Sequence, residues 1–439
     1  MQNSIKTFAL GFQHVLAMYA GAIIVPLIVG GALGLTIEQL TYIIGIDILT
    51  CGVASLLQVW KNKYFGIGLP VMLGCTFTAV GPMIAIGSQY GIQSVYGAII
   101  ASGIIVVLIA KYFGKLIKFF PPVVIGSVVT IIGITLIPTA MNSMGGGQGN
   151  PEFGAPKFLM LSFGVLILIL LLNKFTTGFL RSVSILIGMV VGTIAAYFMG
   201  IVDFTNVGEA KWIHMVQPFY FGAPKFEITP ILTMTLVAIV GLIESTGTYL
   251  ALSNICDRKL TDKDITNGYR AEGLAITLGG IFNAFPYTTY SQNVGLVQLS
   301  GVKSKSVIVM AGFILITLGF VPKIAAVTTI IPDPVLGGAM VAMFGMVVAY
   351  GIKMLSNVSF ETNGNLLIIA CSVGMGLGVT TVPELFAQFP SSIQIITSNG
   401  IVAGSITAIV LNILFNVIPS RQEKKAANTS TQLKEQQAS

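Results

Sequence analysis

Residues 68–82 read GLPVMLGCTFTAVGP, and residues 283–301 read NAFPYTTYSQNVGLVQLSG. Each stretch carries an early proline, Pro70 or Pro286, runs on without helical periodicity, and ends in a short apolar run. Proline removes a backbone donor and stops a helix, so both stretches predict interrupted helices in a chain otherwise made of long apolar segments. Such a pair, at matching positions of two halves, exposes backbone N–H groups and positive dipole ends inside a membrane, where a polar solute can use them. The plainer alternative is two kinked structural helices.

The rest of the chain supports a membrane setting. Of its 439 residues, 54% are hydrophobic and 9% charged, whereas soluble domains carry about a quarter charged residues. Fifty glycines suit helices that approach closely in lipid. Runs of ~20 apolar residues occur near 8–30, 38–60, 67–88, 92–113, 120–141, 157–174, 180–200, 228–252, 266–284, 287–300, 302–322, 332–353, 364–382 and 395–418, fourteen in all. The third and tenth are the interrupted stretches. With the N-terminus in the cytoplasm, inner loops hold 19 of the 23 Lys and Arg residues. That bias predicts both termini inside. It spends the net charge of +7 on orientation, which excludes a nucleic-acid binder. Seven crossings per half make the halves inverted repeats.

Lys6 is followed by a long apolar stretch without a cleavage site, so the start reads as a spanning helix rather than a signal peptide. GGGQGNPEFGAP at 145–156 predicts a loop, and the Lys-, Gln-, Ser- and Thr-rich tail from Arg421 predicts disorder. Cys51, Cys75, Cys256 and Cys371 lie too far apart to suggest a zinc site or disulfide framework. GMGLG at 374–378 falls in an apolar span and reads as packing. With no metal cluster, P-loop or nucleophile motif, the expectation is a protein that is not an enzyme and uses no cofactor.

Ionisable groups inside spans cost about 2.5–3.5 kcal/mol each on insertion scales and are functional candidates. Glu244, in VGLIESTGTYLAL, stands among Ser245, Thr246, Gly247 and Thr248. It reads as an acceptor for solute N–H groups, able to change protonation state; the alternative is a carboxyl satisfied by neighbouring hydroxyls. Gln292 and Asn293 follow the second interrupted stretch. Their amides offer donors and acceptors to a flat heterocycle with alternating C=O and N–H, or else serve as interhelical glue. His14 is either a packing element or an indirect contributor. Glu272, placed near the inner surface, is a surface acid, a supporting partner or a proton relay. Asp47 is open between structural and coupling roles.

Gln292-Asn293-Val294-Gly295, followed by Ser300-Gly301, resembles the signature of the nucleobase–ascorbate transporter family: Gln/Glu/Pro, Asn, any, Gly, four of any, Thr, then Arg/Lys/Gly, with Ser300 in place of Thr. FPYTTYSQNVGLVQLSGV, GLIESTG, GFQH and GCTFTAVGP match as well, and the likeness, strongest to the bacterial xanthine permeases, covers the chain up to its tail. The resemblance implies an all-α membrane protein with fourteen crossings in two inverted seven-span repeats and short strands in segments three and ten. It implies a core domain from 1–119 and 227–323, a gate domain from 120–226 and 324–420, and a disordered cytoplasmic tail at 421–439. It further implies a homodimer in the cell membrane performing proton-coupled uptake of xanthine or a related purine. Carried over by position, Glu244 and Gln292 would hold the base edge-on, Phe77 would stack on it and backbone near Ser291 would add contacts. Asn293 would shape the site, Gly295, Ser300 and Gly301 would tune specificity, and Glu272 and His14 would support it. Uracil permeases carry Glu where Gln292 stands and His where Thr248 stands, which favours the xanthine or urate branch and leaves proton coupling to Glu244, with Glu272. Urate or uracil permeases and an anion exchanger of similar fold are the alternatives.

Overall fold

The computed structural model describes residues 2–116, 120–202, 204, 207, 208, 211, 212, 215–360, 363–390, 393, 394, 397 and 399–418. The expected disordered tail, 421–439, lies outside them. The helices are α1 (Gln2–Ala32), α2 (Ile37–Val59), α3 (Val80–Tyr90), α4 (Ile92–Leu116), α5 (Pro122–Met144), α6 (Pro156–Phe175), α7 (Gly178–Ser182) and α8 (Ser184–Phe198). They continue with α9 (Ile228–Ile255), α10 (Asp262–Ile281), α11 (Ser291–Ser300), α12 (Lys305–Gly319), α13 (Pro322–Thr329), α14 (Asp333–Leu355), α15 (Asn363–Thr381) and α16 (Gly400–Asn412). Two strands, β1 (Leu73–Cys75) and β2 (Tyr287–Thr289), pair antiparallel.

Among the described residues nine helices are long and apolar enough to cross a membrane, and α12 with α13, bent by 79°, makes a tenth when the pair is counted as one span. The other expected segments fall short for local reasons. α3 and α11 have 11 and 10 residues because a strand occupies the first part of each segment. α8 has 15 residues. α10 opens with the polar run DKDITNGYR. Thr261 and Asp264 form a capping box there, so α10 starts four residues before the expected 266. As a result Glu272 sits in mid-helix, wholly buried, and not near a surface; the surface-acid reading is thereby corrected. Gly145 ends α5, and four glycines of positive φ (Gly146, Gly147, Gly149, Gly154) carry the following loop.

Glycine seams set the helix packing. A Cβ on Gly103 would lie 2.7 Å from the Gly273 carbonyl, and one on Gly273 would lie 2.8 Å from that of Gly103, so α4 and α10 touch backbone to backbone. Gly52 against Gly312 and Gly319 against Gly45, each with a Cβ-to-carbonyl approach of 2.6 Å, do the same for α2 and α12. Dispersion and small-residue contact, rather than a hydrophobic drive, hold helices together in lipid. One packed group contains α1, α2, α4, α9, α10, α12 and the strands; another contains α5, α6, α8, α14, α15 and α16.

Candidate substrate site

The two-stranded ribbon is the site's platform. Leu73 pairs with Thr289, Gly74 with Thr288 and Cys75 with Tyr287, and further bonds run from Thr76 N to the Pro286 carbonyl and from Tyr290 N to the Met72 carbonyl. A bare sheet edge is not tolerated in hydrocarbon, and side chains close this one. Leu73 N donates to Ser55 Oγ at 2.9 Å, Thr289 N to Ser245 Oγ at 3.3 Å, and Phe285 N to Asp47 Oδ1 at 2.7 Å. Gly74 has a steric reason: its Cβ would fall 2.2 Å from the Tyr290 ring, whose hydroxyl donates to the Cys75 carbonyl at 3.0 Å.

Each strand feeds a short helix that points its N-terminus back toward the ribbon. After β1, the Thr76 hydroxyl accepts from Thr78 N at 3.3 Å, and a 3-10 turn, Phe77–Ala79, leads into α3. After β2, α11 begins at Ser291 with no side-chain cap, leaving its first-turn N–H groups without that partner.

A cavity of about 330 Å³ opens over these elements. Glu244 from α9, Phe77, and Ser291 and Gln292 from α11 all line it. The Phe77 ring is set edge-on against Phe344, with centroids 5.6 Å apart and planes at 82°. Met343, Met346, Val347 and Tyr350 of α14 and Val129 and Ile132 of α5 form the opposite wall. Among the described residues Glu244 makes no side-chain hydrogen bond, so its oxygens are free to accept from a solute.

The remaining candidates stand behind the cavity. Glu272 Oε1 accepts from Ser245 Oγ at 3.0 Å and Oε2 from the Tyr249 hydroxyl at 3.2 Å. Ser245 Oγ also lies 3.2 Å from Thr288 Oγ1, and Gln58 Nε2 donates to the Tyr249 hydroxyl at 2.8 Å. This chain ties Glu272 to β2 one residue away from Glu244. Asp47 anchors Phe285, just before Pro286. Asn293 turns away from the cavity: its Nδ2 donates to the His14 carbonyl at 2.9 Å and lies 3.1 Å from His14 Nδ1, joining α11 to α1.

Four further candidates also stand off the cavity. Thr248 is buried in α9. Gly295 has open space where a Cβ would stand. Ser300 and Gly301 close α11: Ser300 Oγ accepts from Val302 N at 3.2 Å, and Gly301 takes the left-handed conformation at φ 64°. The α14 and α5 wall went unread in the sequence. Met343, Met346, Val347 and Tyr350 follow helical spacing, a pattern that core packing produces equally well. No three His, Cys, Asp or Glu side chains gather as a metal site among the described residues.

A cavity walled by a carboxylate, an amide and an uncapped helix start, within a bundle of apolar helices, defines a membrane carrier of small polar solutes. The Xan_ur_permease profile, described as a permease family, matches residues 5–385. The chain belongs to that family, the nucleobase–ascorbate transporters, whose members are transporters and not enzymes. It is 67% identical to the xanthine permease of Bacillus subtilis over 412 residues, 94% of each chain. It is 62% identical to the uric acid permease PucK of the same organism, covering 94% of this chain and 96% of that one. In structure it is similar to the transmembrane domain of the cyanobacterial bicarbonate transporter BicA, with a TM-score of 0.60 at 14% identity, over 89% of this chain and 96% of that one. That last likeness is one of fold.

Proposed function

We propose that this protein imports xanthine across the cell membrane, coupled to protons, by alternating access. The observation that carries the reading is the convergence of Glu244, Gln292, Phe77 and the uncapped start of α11 on one cavity. Xanthine is planar, with N–H and C=O groups alternating around its edge. Leaving any of them unpaired in a desolvated site costs about 1–3 kcal/mol. The Glu244 carboxylate accepts from ring N–H groups, a charge-assisted contact. The Gln292 amide and the N–H groups of Ser291 and Gln292 answer the remaining edge, while Phe77 covers a face. An isolated buried carboxylate is unfavourable, so proton binding at Glu244, with Glu272 behind it, is linked to substrate binding.

The architecture that goes with this reading has fourteen crossings in two inverted repeats. Exchanging each crossing with the one seven places along turns the α4–α10 contact into the α12–α2 contact, and α1–α12 into α9–α4; all four pairs pack. The core comprises 1–119 and 227–323, and the gate comprises 120–226 and 324–420. Rocking of gate against core opens the cavity to either side in turn. The charge bias of the loops supports cytoplasmic termini, and the family likeness supports a homodimer.

Urate is the second reading, favoured by the 62% identity to a uric acid permease. Uracil is disfavoured by Gln292 and Thr248, and an inorganic anion by the carboxylate in the cavity wall. Uptake of labelled xanthine in whole cells, competed with urate, guanine, uracil and sulfate and run with and without a protonophore, tests all of these. Competition by xanthine and urate with collapse under protonophore is expected. Competition by uracil or sulfate alone, or uptake indifferent to protonophore, overturns the corresponding part.

A further inference from the structure

A second chamber of about 160 Å³ adjoins the first. Tyr290, Gln292, Met343 and Met346 line both, so the two chambers adjoin at Gln292. Among mostly apolar walls, the second chamber adds four polar side chains that the first lacks: Asn173, Arg181, Ser182 and Ser184. Asn173 Nδ2 donates to Ser184 Oγ at 2.7 Å, holding α6 to α8 beside the opening. Arg181 belongs to α7, the short helix packed against α11, and is solvent-exposed. Among the described residues no carboxylate pairs with it. An unpaired guanidinium on a chamber wall, with no acid to neutralise it, is a point of attraction for an anion, and its planar fork suits an oxygenated edge.

We infer that this chamber is a second, shallower station on the solute's path, in which Arg181 favours purine substrates in their monoanionic form. The inference rests on the nucleobase reading of the first cavity and extends it: Glu244 and Gln292 select the base, and Arg181 selects its charge state. It gives the chain a means of handling urate, an anion near neutrality, alongside neutral xanthine without an altered main site. Because the guanidinium is exposed, its effect is modest and screened by salt.

Equilibrium binding to the purified full-length protein in nanodiscs of neutral lipid tests it, since both faces are open to ligand and no anionic headgroup competes. The probes are urate and xanthine at a slightly acidic pH, where urate is a monoanion and xanthine neutral. R181Q is expected to weaken urate binding about three- to fivefold at low salt, the span of an exposed ion pair. It should leave xanthine binding unchanged and flatten the salt dependence of urate binding, while R181K retains most of the preference. Equal loss for both ligands, or unchanged urate binding, overturns the inference and leaves the main site standing. Failure of the unaltered protein to bind either purine overturns the nucleobase reading beneath it, and the inference with it.

Discussion

The two strand-and-half-helix units share a backbone plan and differ in dress. The first, Leu73-Gly74-Cys75 leading into α3, is apolar, and a 3-10 turn capped by its own Thr76 stands between strand and helix. The second, Tyr287-Thr288-Thr289 leading into α11, carries hydroxyls, and its helix start is left open beside Ser291 and Gln292. Since the same backbone device appears twice, the device alone does not make a binding site. The difference lies at the junction: a hydroxyl-capped turn follows the first strand, whereas α11 follows the second directly, with no side-chain cap. The first unit contributes a wall, Phe77, and the second contributes donors.

This contrast can be broken from either side. The largest effect is expected at Glu244, which faces the open unit. Glu244→Gln keeps size and loses charge, so proton-driven accumulation of labelled xanthine should vanish. Binding should weaken by ~1.5–3 kcal/mol, the worth of a hydrogen bond to a charged group. Full active uptake by that variant would refute the assignment. Next comes Gln292→Glu, which removes the amide's donors and places a second acid at the cavity. Xanthine affinity should fall by roughly tenfold or more, about the cost of leaving a buried partner unmet, as read by competition binding. Unchanged affinity would remove this side chain from the base's edge.

Smaller effects should separate stability from binding. Thr76→Val strips the cap from the first unit and should lower stability by about 1 kcal/mol, with xanthine affinity preserved, as read by thermal denaturation beside binding. A large loss of affinity there would mean that the capped unit also serves the solute. Of similar size is Gly301→Ala, where open space surrounds the site but φ is 64°. The left-handed conformation costs a non-glycine residue roughly 1–2 kcal/mol, so the melting temperature should drop slightly while substrate preference stays. A switch in preference would restore Gly301 to a specificity role.

The two interruptions were legible because proline's missing donor belongs to the residue itself, wherever Pro70 and Pro286 land. Register was not legible, since three residue pairs carry no periodicity that distinguishes one alignment from its neighbour. Glu244 and Gln292 stood out as polar groups in apolar runs. Glu272 was misplaced in depth, because the Thr261 capping box moves the start of α10 outward by a turn. Ser300 and Gly301 belong to a motif whose residues serve different purposes: its head lines the cavity and its foot ends a helix. Met343, Met346 and Tyr350 could not be told from packing residues, because a helix uses one spacing for both.

The side chains that seal the ribbon have a consequence for how such a carrier can change its diet. Ser55 and Ser245 each hold a strand amide and Asp47 holds the Phe285 amide just before β2, so altering any of them would strand a donor in an oily interior. The polar platform is thereby frozen against drift. The facing methionines and tyrosine of α14 bear no such duty, and new cargo shapes would be accommodated by remodelling that wall.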